Sequence, residues 1–293
     1  MKNNIDDIDF SFGKYSSTSL HQEYDDFLRF SDYVESLPPE VKRSKNITGR
    51  RKNYKNISTL FSSFCNSDAR NATLFRRGAS FDDSLINSWL SFVYEKEAFI
   101  CSMVNVPQYT PVTVEFLSEF TKNSINDDFP LTAPRALLEQ GIILIYEESI
   151  PSAKVDGVVY VNDQGNPVIG MSLRFSRIDN YWFTLMHELS HVLLHYKQLG
   201  SPIIDDTERE INPEDLIEAQ ADRTALDLLI PRSMWRGCAA KRSLREDDLF
   251  SFSEEIGIHP AIVAGRIRKE TGSYKFFSKI INKVNVREMV FNV

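Results

Sequence analysis

Cysteine is scarce: three in 293 residues, at Cys65, Cys101 and Cys238. The number is odd and no CxxC pair occurs, which fits a reducing compartment with no disulfide framework. Long apolar runs are missing as well. No stretch of about 18 apolar residues exists, so no membrane span is expected. The N-terminal MKNNIDDIDF has no apolar segment of the kind a secretory leader needs. Internal repeats and low-complexity tracts are absent, which removes solenoids and collagen-like arrays. Positive charge is in deficit. The net charge of −7 argues against a chain that coats nucleic acid over its whole surface, though a local basic patch is compatible with it. These absences point to a soluble cytoplasmic protein without a membrane partner. What is present can build a core: 42% of residues are hydrophobic, with 20 Phe and 11 Tyr.

The pattern along the chain predicts an α+β protein in three parts. Residues 1–70 form a variable region assigned to partner recognition. It opens with an acidic, aromatic amphipathic helix (EYDDFLRFSDYVESL) and continues into VKRSKNITGRRKNYK. There Lys42, Arg43, Lys45, Arg50, Arg51, Lys52 and Lys55 are uninterrupted by any acid. A solvated linker is the preferred reading of that tract over a contact with nucleic acid or an acidic partner. Residues 71–125 are helical, with apolar positions at helical spacing in SLINSWLSFVYEKEAFICSMV and TVEFLSEFTKN. Residues 126–293 form the main domain. A helix over TAPRALLEQG is expected to start on Thr132 and end at Gly141. Three short β-branched runs follow, GIILIYEES, DGVVYVND and NPVIGMSL, the last two forming a hairpin. PEDLIEAQADRTALDLLIP is a strong helix opened at Asn212 or Pro213 and closed by Pro231. REDDLFSFSEEIG and HPAIVAGRIRKE are two further helices, with Gly257 between them in a helix-turn-helix-like spacing.

The chemistry concentrates in FTLMHELSHVLLH, residues 183–195. The chain has five histidines, and three of them lie here. His187, Glu188 and His191 spell H-E-x-x-H. Residues four apart on a helix are offset by roughly 40° and about 6 Å, so both imidazoles leave one face and can converge on one ion. Glu188 sits beside the first imidazole, where it can reach water activated by a metal and act as general base. The competing reading is a helix that happens to carry histidines. The apolar flanks argue against it, because buried imidazoles and carboxylates are costly unless something satisfies them. A third ligand is expected from EAQAD, with Glu218 on the metal and Asp222 accepting the other ring N–H of a ligand histidine. Ala219 and Ala221 would let this helix approach closely. His195 lies too far along the helix to share the ion and is read as a helix-end or cleft histidine. Tyr181, Arg174 and His195 are equal candidates to stabilise an oxyanion.

PVIGMSLRFSRIDNYWFTLMHELSHVLLH followed by EAQADRTALDLLIP resembles the ImmA/IrrE metallopeptidases, above all the branch fused to a HigA-type antitoxin or Xre-type regulator. The resemblance runs from about Asn71 to about Lys275, with the specific motifs in residues 141–231. It implies a minimal zincin fold: a small sheet packed on the active-site helix, with helical N- and C-terminal additions. It also implies Zn2+ held by His187, His191 and Glu218, with Glu188 as catalytic base. The implied activity is cleavage of a regulatory protein partner, whether repressor, antitoxin or phage-defence component. NISTLFSSFCNSD lacks the A-x-x-x-G turn of the helix-turn-helix that usually opens such fusions. The alternative functions are a DNA- or toxin-binding transcriptional regulator with a non-proteolytic zinc site and a small-molecule metallohydrolase. Nucleic-acid contact through the basic C-terminal end, from Arg266 to Lys283, is allowed but not favoured. The residues leave the oligomeric state open.

Overall fold

The computed structural model describes residues 81–200, 202–205 and 216–292, with isolated positions 34, 39 and 42 before them. The chain divides into two compact units, Met1–Cys65 and Asn66–Val293, and the fold below is that of the second. The readings placed on residues 1–70, and the start of the helix at Asn212 or Pro213, fall outside the described residues.

Four strands form one mixed sheet: β1 (Ile143–Tyr146), β2 (Gly157–Val161), β3 (Pro167–Met171) and β4 (Ile203–Asp205), in the order β1-β3-β2-β4. β1 runs parallel to β3, while β2 is antiparallel to both β3 and β4. The β2–β3 hairpin turns on Asn162, whose Oδ1 accepts the backbone N–H of Gln164 and of Asn166, with Gly165 at φ +82. Asn supplies its own turn acceptor and Gly supplies positive φ, which is why NDQGNP ends one strand and starts the next.

Side chains alternate along a strand, so each run splits between two faces. Leu144, Val159, Ile169 and Met171 join the main core beneath α4 (Ile178–His195). The opposite face is covered by α1 (Phe81–Met103), whose Leu85, Trp89, Phe92 and Val93 are buried. A Cβ on Gly170 would meet Val93 of α1 at 3.1 Å, while Trp89 Nε1 donates to the Glu147 carbonyl and Tyr160 to Glu97. The strands read as continuous apolar runs because both faces are covered. Among the described residues the protein is thus a mixed α/β fold with eleven α-helices around a four-stranded sheet. That is consistent with a small zincin-like domain carrying helical additions.

α2 (Val114–Thr121) is capped by Thr113, which accepts the Phe116 N–H. α3 spans Phe129–Leu138 with Asp128 at its N-cap. Thr132 therefore lies inside the helix, not at its start, and its hydroxyl donates to the Phe129 carbonyl. Pro130 explains the earlier beginning, since proline lacks only a donor that the first turn leaves unused. Gly141 does end this segment in the left-handed region at φ +75, and the Ile142 N–H returns to the Leu137 carbonyl. Phe120, Phe129 and Trp182 stack into an aromatic wedge that holds α4 from below.

α5 (Leu216–Leu229) packs along α4 through Ala221 and Ala225, both fully buried, whereas Ala219 faces solvent. Small α6 (Arg232–Gly237) and α7 (Ala240–Ser243) lead to α8 (Glu246–Ile256) and α9 (Pro260–Thr271). Gly257 makes the left-handed turn between the last two, and His259 caps α9 by accepting the Ala261 N–H. α9 lies against α4 so closely that a Cβ on Gly265 would stand 2.4 Å from Asp179 Oδ2. Short helices α10 (Ser278–Ile281) and α11 (Val286–Phe291) close the fold.

Candidate metal centre

α4 is buried almost all the way round, and its apolar positions hold it between sheet, wedge and α5. That rigidity fixes two imidazoles. His187 and His191 are 2% and 0% exposed, and their Nε2 atoms stand 3.0 Å apart. α5 brings Glu218 across, with Oε2 3.2 Å from His187 Nε2 and 3.5 Å from His191 Nε2. Three donors bound to one ion at about 2.0–2.1 Å in tetrahedral geometry would be separated by about 3.3 Å. The three observed separations bracket that edge length, so His187, His191 and Glu218 fit a metal ion. The Glu218 side chain is 24% exposed, which puts the accessible side of the site on α5.

Hydrogen bonds behind the imidazoles set their tautomers. Asp222 Oδ1 lies 2.9 Å from His187 Nδ1, and a carboxylate can only accept, so the proton sits on Nδ1 and the Nε2 lone pair points to the centre. On His191 the corresponding partner is another histidine. His191 Nδ1 is 3.2 Å from His195 Nδ1, and His195 Nε2 is 3.0 Å from Gln220 Oε1. The amide oxygen accepts from Nε2, which leaves His195 Nδ1 to accept from His191 and frees the His191 Nε2 lone pair for the metal. His195 is thus a buried member of the network, 5% exposed, and not a helix-end cap or a cleft residue. The reason is periodic: four residues beyond His191, it stacks on the same face.

Electrostatics agree with this assignment. Burial pushes His191 below the ordinary histidine range, against the pull of Glu218, and so favours the neutral ligand form. Burial alone would raise the Glu218 carboxyl, but its place beside the His187 and His191 rings more than offsets this and holds it at about 2. A neutral His191 and an ionised Glu218 are the protonation states that metal ligation requires of them.

Glu188 is completely buried and leaves α4 toward the sheet. Its carboxyl presses on β2 at Gly157, where a Cβ would come within 2.1 Å of Glu188 Oε1. Of the three oxyanion candidates, each is engaged elsewhere. Tyr181 shares a hydrogen bond with Tyr146, Arg174 forks onto Asp156, and His195 serves His191.

Gly157 and Gln220 are residues around the site that sequence reasoning missed, and His195 is one to which it gave another role. A glycine opening the β-branched run of DGVVYV and a glutamine framed by the two acids of EAQAD were the available signals.

Residues 138–268 match the family model of the IrrE N-terminal-like domain, Peptidase_M78. This span contains the sheet, α4 and α5, hence every residue of the centre. No curated protein matches the chain. Among the described residues no helix is long and apolar enough to cross a membrane.

Proposed function

We propose, from the premise that residues 138–268 form a metallopeptidase domain of the ImmA/IrrE family, that this chain is a zinc-dependent endopeptidase acting on a regulatory protein partner. One observation carries the metal part: three donor atoms of two helices, from His187, His191 and Glu218, gather at tetrahedral spacing in a buried setting. Two imidazoles and one carboxylate suit zinc, and three protein ligands leave a fourth position for water, as catalytic rather than structural sites do. Zinc bound there would supply Lewis acidity, lowering the pKa of a coordinated water toward about 7 and polarising a substrate carbonyl.

The rest is done by the chain's own groups. Asp222 and the His195–Gln220 pair hold the two imidazoles in the ligand tautomer. Glu188, fixed between α4 and β2, takes the proton of the attacking water and delivers it to the leaving amine. The substrate class follows the family: a repressor, antitoxin or defence-system component, in the settings of transcription regulation, toxin–antitoxin pairs or phage defence.

The alternative, a regulator binding DNA through the α8–α9 pair, finds little support. Arg266 bonds the Leu226 and Ile230 carbonyls, and Arg268 is buried on Ser278, so two cations of α9 serve internal packing.

The experiment is Glu188→Gln. Zinc content should remain near one per chain while cleavage of the partner is lost, and the variant should capture that partner from cell extract for identification. Undiminished cleavage by Glu188→Gln would remove the general-base role.

A further inference from the structure

We infer that the cavity where α4, α5 and α9 meet is a specificity subsite that takes an apolar side chain of the protein substrate with a carboxylate beside it; this rests on the peptidase reading above. The cavity measures about 480 Å³, within the about 300–1,000 Å³ of ordinary ligand pockets. Its apolar surface comes from Phe183 on α4, Leu226 and Leu229 on α5, Ile230 just beyond, and Ile262 on α9.

Position ties it to the metal centre. Phe183 lies one turn before His187, and their ring centroids are 6.2 Å apart. Leu226 lies one turn beyond Asp222 on the antiparallel helix. The cavity thus begins one turn, or about 6 Å, from the donor residue His187 on α4 and lies two turns, or about 12 Å, from Glu218 on α5. An extended peptide advances about 3.3 Å per residue, so a side chain roughly two to four positions from the scissile bond reaches it.

Charge selects further. Four cations line the cavity, Arg177, Arg266, Arg268 and Lys269, against two carboxylates, Asp179 and Glu270. Arg177 is neutralised by Asp179, and Arg266 is paired with Glu270. Arg268 turns inward to the Tyr274 carbonyl and Ser278. Lys269 is exposed, sits 4.7 Å over the Phe183 ring, and has no carboxylate partner among the described residues. An ammonium held at the mouth of an apolar cavity suits a ligand that is apolar at one end and anionic at the next residue.

The test uses the zinc-loaded full chain carrying Glu188→Gln and two fluorescent hexapeptides in an alanine background, one with Leu followed by Glu, the other with Leu followed by Lys. Anisotropy should show the Glu peptide binding about five- to tenfold tighter, as expected for one rim charge near a half-buried contact. Leu226→Trp, which fills the cavity, should weaken both peptides about tenfold or more with zinc content unchanged. Lys269→Glu, at an exposed position that does not threaten folding, should reverse the preference. Failure of either peptide to bind at millimolar concentration, or an unaltered Glu-to-Lys ratio in Lys269→Glu, overturns the subsite. The outcomes separate the two claims. Peptide binding as described, in a protein whose wild type cuts nothing, sinks the peptidase and leaves the subsite. Zinc-dependent cleavage alongside an unaltered ratio sinks the subsite alone.

Discussion

Gly157 is where a single methyl group would reach the chemistry. Its Cα lies under the Glu188 carboxyl, and a Cβ would overlap Oε1 at 2.1 Å. The carboxyl is enclosed and has little room to step aside, so Gly157→Ala should displace it by about an ångström. A shift of that size can cost on the order of 10²-fold in rate. We expect cleavage to fall by about that factor while zinc content changes little and stability drops by about 1–3 kcal/mol from the overpacking; a variant of full activity would place the base elsewhere. The network behind the imidazoles makes a different prediction. His195→Ala or Asp222→Ala leaves a ligand ring without its orienting partner. Zinc affinity should drop roughly 10- to 100-fold, read by competition with a chromogenic chelator. A variant with unchanged affinity would mean that the ring nitrogen behind the ligand carries no orienting bond.

At the scale of elements, the site depends on two helices approaching closely. Ala221 and Ala225 are the contact, and both are wholly buried. Ala225→Leu would overpack it. A cost of about 1–3 kcal/mol in stability is expected, together with weaker zinc binding, because Glu218 rides on the same helix. Chemical denaturation and zinc titration measure the two effects, and a stable variant with unchanged affinity would mean that the helices do not meet as described. This level was also the most legible from sequence. H-E-x-x-H on an apolar helix and E-x-x-x-D on the next contain the three side chains that the fold brings together as candidate ligands, because both sets obey a four-residue period. The strands were legible through their β-branched runs. Thr132 misled as a helix start because a capping residue was available one turn too late, and Pro130 made the earlier start possible. His195 was visible but given the wrong role, although its i+4 spacing from His191 already put it on the ligand face; Gly157 and Gln220 escaped for a different reason. Their roles depend on which side chain arrives from a distant strand or helix, and no local period encodes that.

For the whole molecule, titration links the C-terminal helices to the metal domain. Burial pushes His259 below its ordinary value near 6.5, with Asp127 pulling it up and Lys283 pushing it down. Its neutral form is needed, because Nδ1 accepts the Ala261 N–H at the start of α9 while Nε2 faces Asp127 at 3.0 Å. A depressed folded-state pKa means that the unfolded chain binds more protons just below pH 6.5. Stability contributed by this group is therefore present above that pH and lost on acidification. Thermal melts of metal-free protein should fall between pH 7 and pH 5.5, and the fall should shrink in His259→Asn, which can keep a cap without a titrating ring. An identical pH dependence in both proteins would assign the effect to other groups. Acid should also release zinc, since protons compete for His191 and His187.

X-ray absorption at the zinc edge addresses the centre itself. The purified chain should bind about one zinc with only nitrogen and oxygen neighbours at about 2.0–2.1 Å, two of them imidazoles, and Glu218→Ala should lose one oxygen neighbour. Sulfur scattering at about 2.3 Å, or a spectrum indifferent to Glu218→Ala, would show that zinc is not held by His187, His191 and Glu218.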